Sequence, residues 1–165
     1  MWFVALAAAV LAVGLPGCES ETDGDDVLDG LVAFARQPSD ENWASMPFAD
    51  RVRLGLGDRL LRTRSAQEVR DPAAWKLDVH LFRGGVGPFS ALDVLATHEG
   101  PFEYREGSYR RCASPSRAPP RPVSHLRRLS IHPREPASCL QWFAVDVFVD
   151  QRGDIQAVTL DHWEP

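Results

Sequence analysis

The chain has 165 residues and a formal charge of −5, the length of one domain able to bury roughly two thirds of its unfolded surface. Six acids and no base fall within residues 19–29, so setting that segment aside turns the net charge from −5 to +1. A balance so close to neutral lacks the electrostatic footprint of a nucleic-acid binder.

Residues 2–13 form an uncharged apolar run that closes in Leu15-Pro16-Gly17-Cys18. The run is shorter than the roughly 20 residues needed to span a bilayer, and Pro16 and Gly17 break it. A short apolar helix followed by a small residue is the pattern of a secretory signal. With the cysteine placed next, it resembles the signal peptide and lipobox of bacterial lipoproteins. One departure is that no Lys or Arg precedes the apolar run. The resemblance implies a signal peptide over 1–17, acylation of Cys18 as the mature N-terminus, and a cell-envelope address outside the cytoplasm. Residues 18–26 then read as the lipidated cysteine and an acidic tether, too polar to order itself. A single domain follows over 27–165. With Cys18 lipidated, Cys112 and Cys139 remain as a pair in an oxidising compartment, where a disulfide is expected.

Apolar residues at 27, 28, 31, 34 and 35 repeat at helical spacing, with Asp25 or Asp26 as the expected N-cap. Pro38 ends this helix. Ser39 caps a second, short one that carries Asp40 and Glu41 in its first turn and stops at Pro47. Val52, Leu54 and Leu56 alternate with polar residues and glycine as a strand, and Leu60 and Leu61 begin another. Ser65-Ala66-Gln67-Glu68 is a capping box, and Asp71-Pro72 repeats the helix-start signal. Trp75, Leu77, Val79 and Leu81 make the cleanest period-two stretch and predict a strand from 75 to 82. Gly84-Gly85-Val86-Gly87-Pro88 predicts a turn. Ser90 and Asp93 can cap a helix that buries Leu92, Leu95 and Ala96. Residues 102–112 read as a hairpin turning at Glu106-Gly107.

A Pro/Arg-rich loop follows over 113–125, then a strand over 126–131. The strongest strand signal is last: residues 140–149, a turn at Asp150-Gln151-Arg152-Gly153, and residues 155–163. Gly153 suits the left-handed position of a three-residue hairpin loop. Pairing Asp150 with Asp154 sets Val149 against Ile155, Val147 against Ala157 and Asp146 against Val158. Both faces of this hairpin are largely apolar, so both are expected to be covered.

The expected fold is α+β: N-terminal helices packed on a curved, mostly antiparallel sheet of 5–6 strands ending in a long C-terminal hairpin. This order is similar to the cone-shaped roll of the nuclear transport factor and ketosteroid isomerase superfamily. The segment from Met46 to Leu54 looks like the lead into that family's first strand, and the segment from Val147 to Ile155 looks like its last hairpin. The resemblance implies a pocket with an acid as base and a tyrosine as oxyanion donor.

Asp146 and Trp142 on one strand, with Asp78 and His80 on another, are the candidate lining of such a pocket, and Tyr104 or Tyr109 could donate. His80, His98, His125, His132 and His162 follow no metal-ligand spacing, and no sequence motif indicates a cofactor or an activated nucleophile. Residues 105–134 hold eight arginines against the single acid Glu106. Among these, Arg110, Arg111, Arg117, Arg121, Arg127 and Arg128 are candidate contacts for an anionic envelope component. The competing assignment pairs them with the domain's own carboxylates. The expectation is a monomeric, lipid-anchored extracytoplasmic accessory or binding protein, meeting the membrane through its anchor and an envelope protein or anionic polymer through its surface, without nucleic acid. A small-pocket enzyme or hydrophobic-ligand carrier is the alternative, and an immunity or inhibitor protein a second one.

Overall fold

The structure, a computed structural model, describes residues 24–78, 87–112 and 114–162. Cys18, His80 and the predicted turn at 84–88, apart from Gly87 and Pro88, lie outside them. Helix α1 (Gly24–Arg36) buries Val27, Leu28, Leu31, Val32, Phe34 and Ala35. Asp25 and Asp26 sit inside its first turn rather than capping it, where their charges favour the positive end of the helix dipole. Residues 24–26 are therefore helical. Gly24 is a close approach: a Cβ there would lie 2.9 Å from Leu129 Cδ2.

The local start signals are realised as polar contacts. Ser39 Oγ accepts from Asn42 N–H at 3.2 Å and caps α2 (Asp40–Ala44). Glu68 accepts from Ser65 N–H at 2.7 Å while Glu68 N–H donates to Ser65 Oγ at 3.2 Å, the reciprocal pair of a capping box. Asp71 accepts from Ala73 N–H at 2.9 Å ahead of the 3-10 turn Pro72–Trp75. Ser90 caps α3 (Ala91–Thr97), which buries Ala91, Leu92 and Leu95 but leaves Ala96 exposed.

A six-stranded sheet carries the rest. Strands β1 (Phe48–Leu56), β2 (Arg59–Ser65), β3 (Phe102–Glu106), β6 (Arg127–Pro133), β7 (Phe143–Val149) and β8 (Ile155–His162) lie in the order β2-β1-β8-β7-β6-β3. All neighbours are antiparallel except β1 and β8. The short strands β4 (Arg110–Arg111) and β5 (Ser114–Pro115) form a separate ribbon. The fold is thus α+β, with three α-helices among the described residues and the expected C-terminal hairpin.

Three local expectations are corrected. Trp75 ends a 3-10 turn and points its indole Nε1 at Val69 O, 2.8 Å away, and Leu77 makes a single bridge to Phe89. The described part of residues 75–82 is therefore not a strand, because the Pro72 start signal governs Trp75. The stretch 102–112 does not fold on itself either. Gly107, at φ 78°, turns the chain away, and β3 pairs with β6, Tyr104 against Ile131.

In the terminal hairpin the Asp150 turn and the Val149–Ile155 pair are as expected, but the register then slips by one residue at Gln156. Gln156 donates instead to Asp150 Oδ2 at 2.9 Å. The bulge sets Val147 against Val158, Val145 against Leu160 and Asp146 against Thr159. Val145, Val147, Val158 and Leu160 then share one face while Asp146 and Thr159 meet on the other, which the uninterrupted register would have mixed.

The first face of the sheet, with Leu54, Leu129, Ile131, Val145, Val147, Val158 and Leu160, packs under α1 and α3 as the main core. The second face is covered by the segment 107–126. There Val123 packs on Phe148 and Ala157, and Tyr109 packs on Trp142 and Ala144. Cys112 and Cys139 are joined in a disulfide, with Cα atoms 5.6 Å apart. The bridge fastens this cover beside the start of β7.

Candidate functional site

The second face of the sheet holds the chain's concentration of buried charge. Strand alternation puts Arg128, Ser130 and His132 of β6 on one side, opposite the apolar Leu129 and Ile131. On β7 the same side carries Ala144, Asp146 and Phe148, and on β8 it carries Ala157, Thr159 and Asp161. Asp146 is only 3% exposed, on a strand flanked by β6 and β8. An isolated charge there would be costly, so its partners define the site.

Among the described residues, Asp146's partners come from β6 and the covering segment. Ser130, its ladder neighbour, donates to Oδ1 at 2.6 Å. Arg128 Nη2 donates to Oδ2 at 2.6 Å, and Tyr109 Oη donates to the same oxygen at 3.2 Å. Arg128 also reaches Tyr109 Oη at 2.9 Å and Arg117 O at 3.0 Å, and its guanidinium lies 4.7 Å from the centre of the Tyr109 ring. Burial alone would lower the Arg128 pKa, but the charge and hydrogen bond of Asp146 outweigh it and hold the guanidinium above its ordinary value. Burial, with the Asp146 charge, drives the Tyr109 hydroxyl upward, so it stays protonated and donates.

A second centre lies next to the first. Asp161, 2% exposed, is bracketed by Arg111 Nε at 2.8 Å and Arg117 Nε at 3.1 Å. Arg111 Nη2 also donates to His162 O at 2.7 Å, and its guanidinium sits 5.7 Å from the Trp142 ring. Tyr109, His132 and Trp142 complete an aromatic cluster with ring centres 5.5 to 6.4 Å apart. Thr159 Oγ1 and His132 Nε2 are buried without a hydrogen-bond partner among the described residues.

No family, curated protein or solved structure matches this chain. The chemistry of the site therefore rests on its own geometry. Both oxygens of Asp146 already accept from groups of the chain itself, an arginine, a tyrosine and a serine. The three arginines set against the two acids each direct at least one donor to the domain's own carboxylates or carbonyls. The arrangement fastens the 107–126 segment across the sheet, with Arg111 and Arg117 reaching down from the cover to Asp161 and Tyr109 reaching down to Asp146.

The residues singled out by sequence fall in different places. Asp146 and Trp142 share the second face. Asp78 does not join them: its side chain is 74% exposed and meets Arg62 at 3.5 Å. Among the six arginines, Arg111, Arg117 and Arg128 turn inward, Arg127 meets Glu106 at 3.1 Å, and Arg110 and Arg121 are exposed. Sequence reasoning missed Asp161, Ser130 and the role of Tyr109. The signal for Asp161 was its period-two spacing from Ala157 and Thr159, obscured by the bulge.

Burial pushes the Asp161 carboxyl up to about 6, against the opposing pull of Arg111 and Arg117. An unfolded aspartate titrates near 3.9. Between about pH 4 and 6 the folded protein therefore holds a proton that the unfolded chain has released, and this group's contribution to stability grows as pH falls through that window. Asp161→Asn should abolish that component. The stability difference between the native chain and the variant should shift in favour of the native chain from pH 7 to pH 4, read by urea unfolding at several pH values. A difference independent of pH, or one shifting the other way, would count against a raised Asp161.

Proposed function

We propose that this chain is a lipid-anchored, non-catalytic binding domain of the bacterial cell envelope, held outside the cytoplasm through Cys18. The observation that carries the reading is the Cys112–Cys139 disulfide. It consumes two of the three cysteines, fits an oxidising compartment, and leaves the third at the end of the lipobox-like segment. The domain begins by Gly24, six positions after Cys18, so the tether reaches at most about 20 Å even when fully extended. Two or three acyl chains, at about 0.8 kcal/mol per buried CH₂, make such an anchor effectively permanent.

The engagement of both Asp146 oxygens by Arg128, Tyr109 and Ser130 supports binding over catalysis. The element order supports the likeness to the nuclear transport factor and ketosteroid isomerase superfamily: the segment before β1 and the terminal hairpin come together, with Phe48 beside Ile155 and Ile155 N–H donating to Pro47 O at 2.6 Å. Within that likeness Asp146 faces the covering segment, away from the helices.

The test is the intact mass of the protein extracted from membranes. The expected species begins at Cys18 and carries two or three acyl chains, and Cys18→Ser should lack them and lose stable membrane attachment. A chain that retains residues 1–17, or an unmodified Cys18 thiol on native protein, would overturn the reading.

A further inference from the structure

We infer that the open edge of the sheet beside α1 is a docking groove for an extended peptide, one that places a basic residue four positions before an acidic one. This goes beyond the anchored-domain reading, which names no partner. Strand β3 ends the strand order, so among the described residues one of its edges has no neighbouring strand. A shallow groove of about 680 Å³ runs along it, walled on one side by β3 and on the other by α1. On α1 the lining residues are Asp25, Asp29, Val32 and Arg36, spaced as a single stripe along one helix face. Asp25, Asp29 and Arg36 are exposed.

The charge along this groove is ordered. At the end where β3 begins, Arg36 lies 5.5 Å from the Phe102 ring and donates to His98 O at 3.5 Å, and Arg134 N–H donates to Pro101 O at 3.0 Å. Glu99 lies at this end as well, and Glu103 is bridged to Arg105. Toward the other end, Tyr104 Oη donates to Asp29 Oδ1 at 2.5 Å, and Asp25 lies one helical turn further on. One half of the groove thus carries two aspartates and the other two arginines against Glu99, with Glu103 already paired to Arg105.

Strand direction turns that order into a sequence requirement. β3 runs from the arginine end toward the carboxylate end. A strand added antiparallel to it therefore runs from the carboxylates toward the arginines, with its N-terminal half against Asp25 and Asp29. Asp29 and Arg36 are seven positions apart on α1, about 10 Å along the helix axis. Alternate residues of an added strand face the helix, and two such steps cover about 13 Å. A peptide with lysine at its first position and glutamate at its fifth meets Asp29 and Arg36, and a valine at its third position lies over the largely buried Val32 at the groove floor.

The probe is the blocked peptide Lys-Thr-Val-Thr-Glu carrying a fluorophore, titrated by anisotropy against the full chain in neutral detergent. The control is the reversed peptide Glu-Thr-Val-Thr-Lys. The forward peptide should bind at least about ten-fold more tightly than the reversed one and should slow amide hydrogen exchange in Phe102–Glu106. Exchanging the charges with Asp29→Arg and Arg36→Glu should invert the preference. Arg134→Glu, which leaves the Asp29–Tyr104 contact intact, should weaken the forward peptide several-fold. No binding up to millimolar concentration, equal binding of the two peptides, or binding without protection of β3 would overturn the inference. Neutral detergent and blocked peptides make the outcome independent of whether Cys18 carries lipid.

Discussion

Replacing Asp146 with alanine should lower the unfolding free energy by about 3–5 kcal/mol, the cost of stripping a buried ion pair of one partner. The guanidinium of Arg128, itself buried, would keep its charge and lose the acceptor at 2.6 Å. Ser130 and Tyr109 would each lose the oxygen to which their hydroxyls donate. Asp146→Asn retains a carbonyl oxygen for some of these donors and should cost less. The double variant Asp146→Leu with Arg128→Met removes both charges together and should recover much of the loss, because replacing a whole buried pair by apolar groups is often close to neutral. Urea unfolding of the four proteins at pH 7 measures this. A loss below about 1 kcal/mol in Asp146→Ala would place the pair among exposed ion pairs and remove the buried network as the fastening of the cover.

The parts of this fold that sequence made legible are those settled within a few residues. Ser39, the Ser65–Glu68 pair, Asp71 with Pro72, and Ser90 each satisfy free N–H groups one turn away, and that geometry needs no knowledge of the rest of the chain. The Asp150–Gly153 turn is of the same kind: Asp150 Oδ1 accepts from Arg152 and Asp154 N–H at 2.9 and 3.0 Å. What sequence did not reveal is how the strands pair outside the terminal hairpin. That β3 leaves its apparent hairpin to join β6, and that β1 lies parallel to β8, depend on contacts far apart in the chain. The slip at Gln156 arises because a regular ladder would have set Asp146 against Val158, and one extra residue separates polar from apolar faces.

The site was harder to read than the fold because it inverts the usual use of hydropathy. In Arg128-Leu129-Ser130-Ile131-His132 the alternation was plain, and it marked a strand. Its polar side is the side that the cover buries, so residues that read as solvent-facing form the interior of a second layer. The cover itself, rich in proline and arginine, has no apolar periodicity to announce that it packs. Its contact with the sheet is made by a few side chains, Tyr109, Arg111, Arg117 and Val123, spaced too irregularly for a pattern to show.

Removing the Cys112–Cys139 bridge with Cys139→Ser should cost about 3–4 kcal/mol, from the loop-closure entropy returned to the unfolded chain over a separation of 27 residues. The closed loop contains Arg117 and all of β6, so the bridge constrains both layers of the buried network at once. Cys112 carries φ 45°, a left-handed backbone that costs a non-glycine residue about 1–2 kcal/mol. Adding Cys112→Gly to Cys139→Ser should relieve that strain, offset in part by the greater freedom of glycine in the unfolded chain. The double variant is then expected to be more stable than Cys139→Ser alone by about 0.5–1 kcal/mol. Without the bridge, cleavage after Arg117 by an arginine-specific protease should quicken, since the cover would be held by its ion pairs, Tyr109 and Val123 alone. Equal stability of native and Cys139→Ser chains, with unchanged cleavage rates, would show that the buried ion pairs, and not the bridge, hold the cover in place.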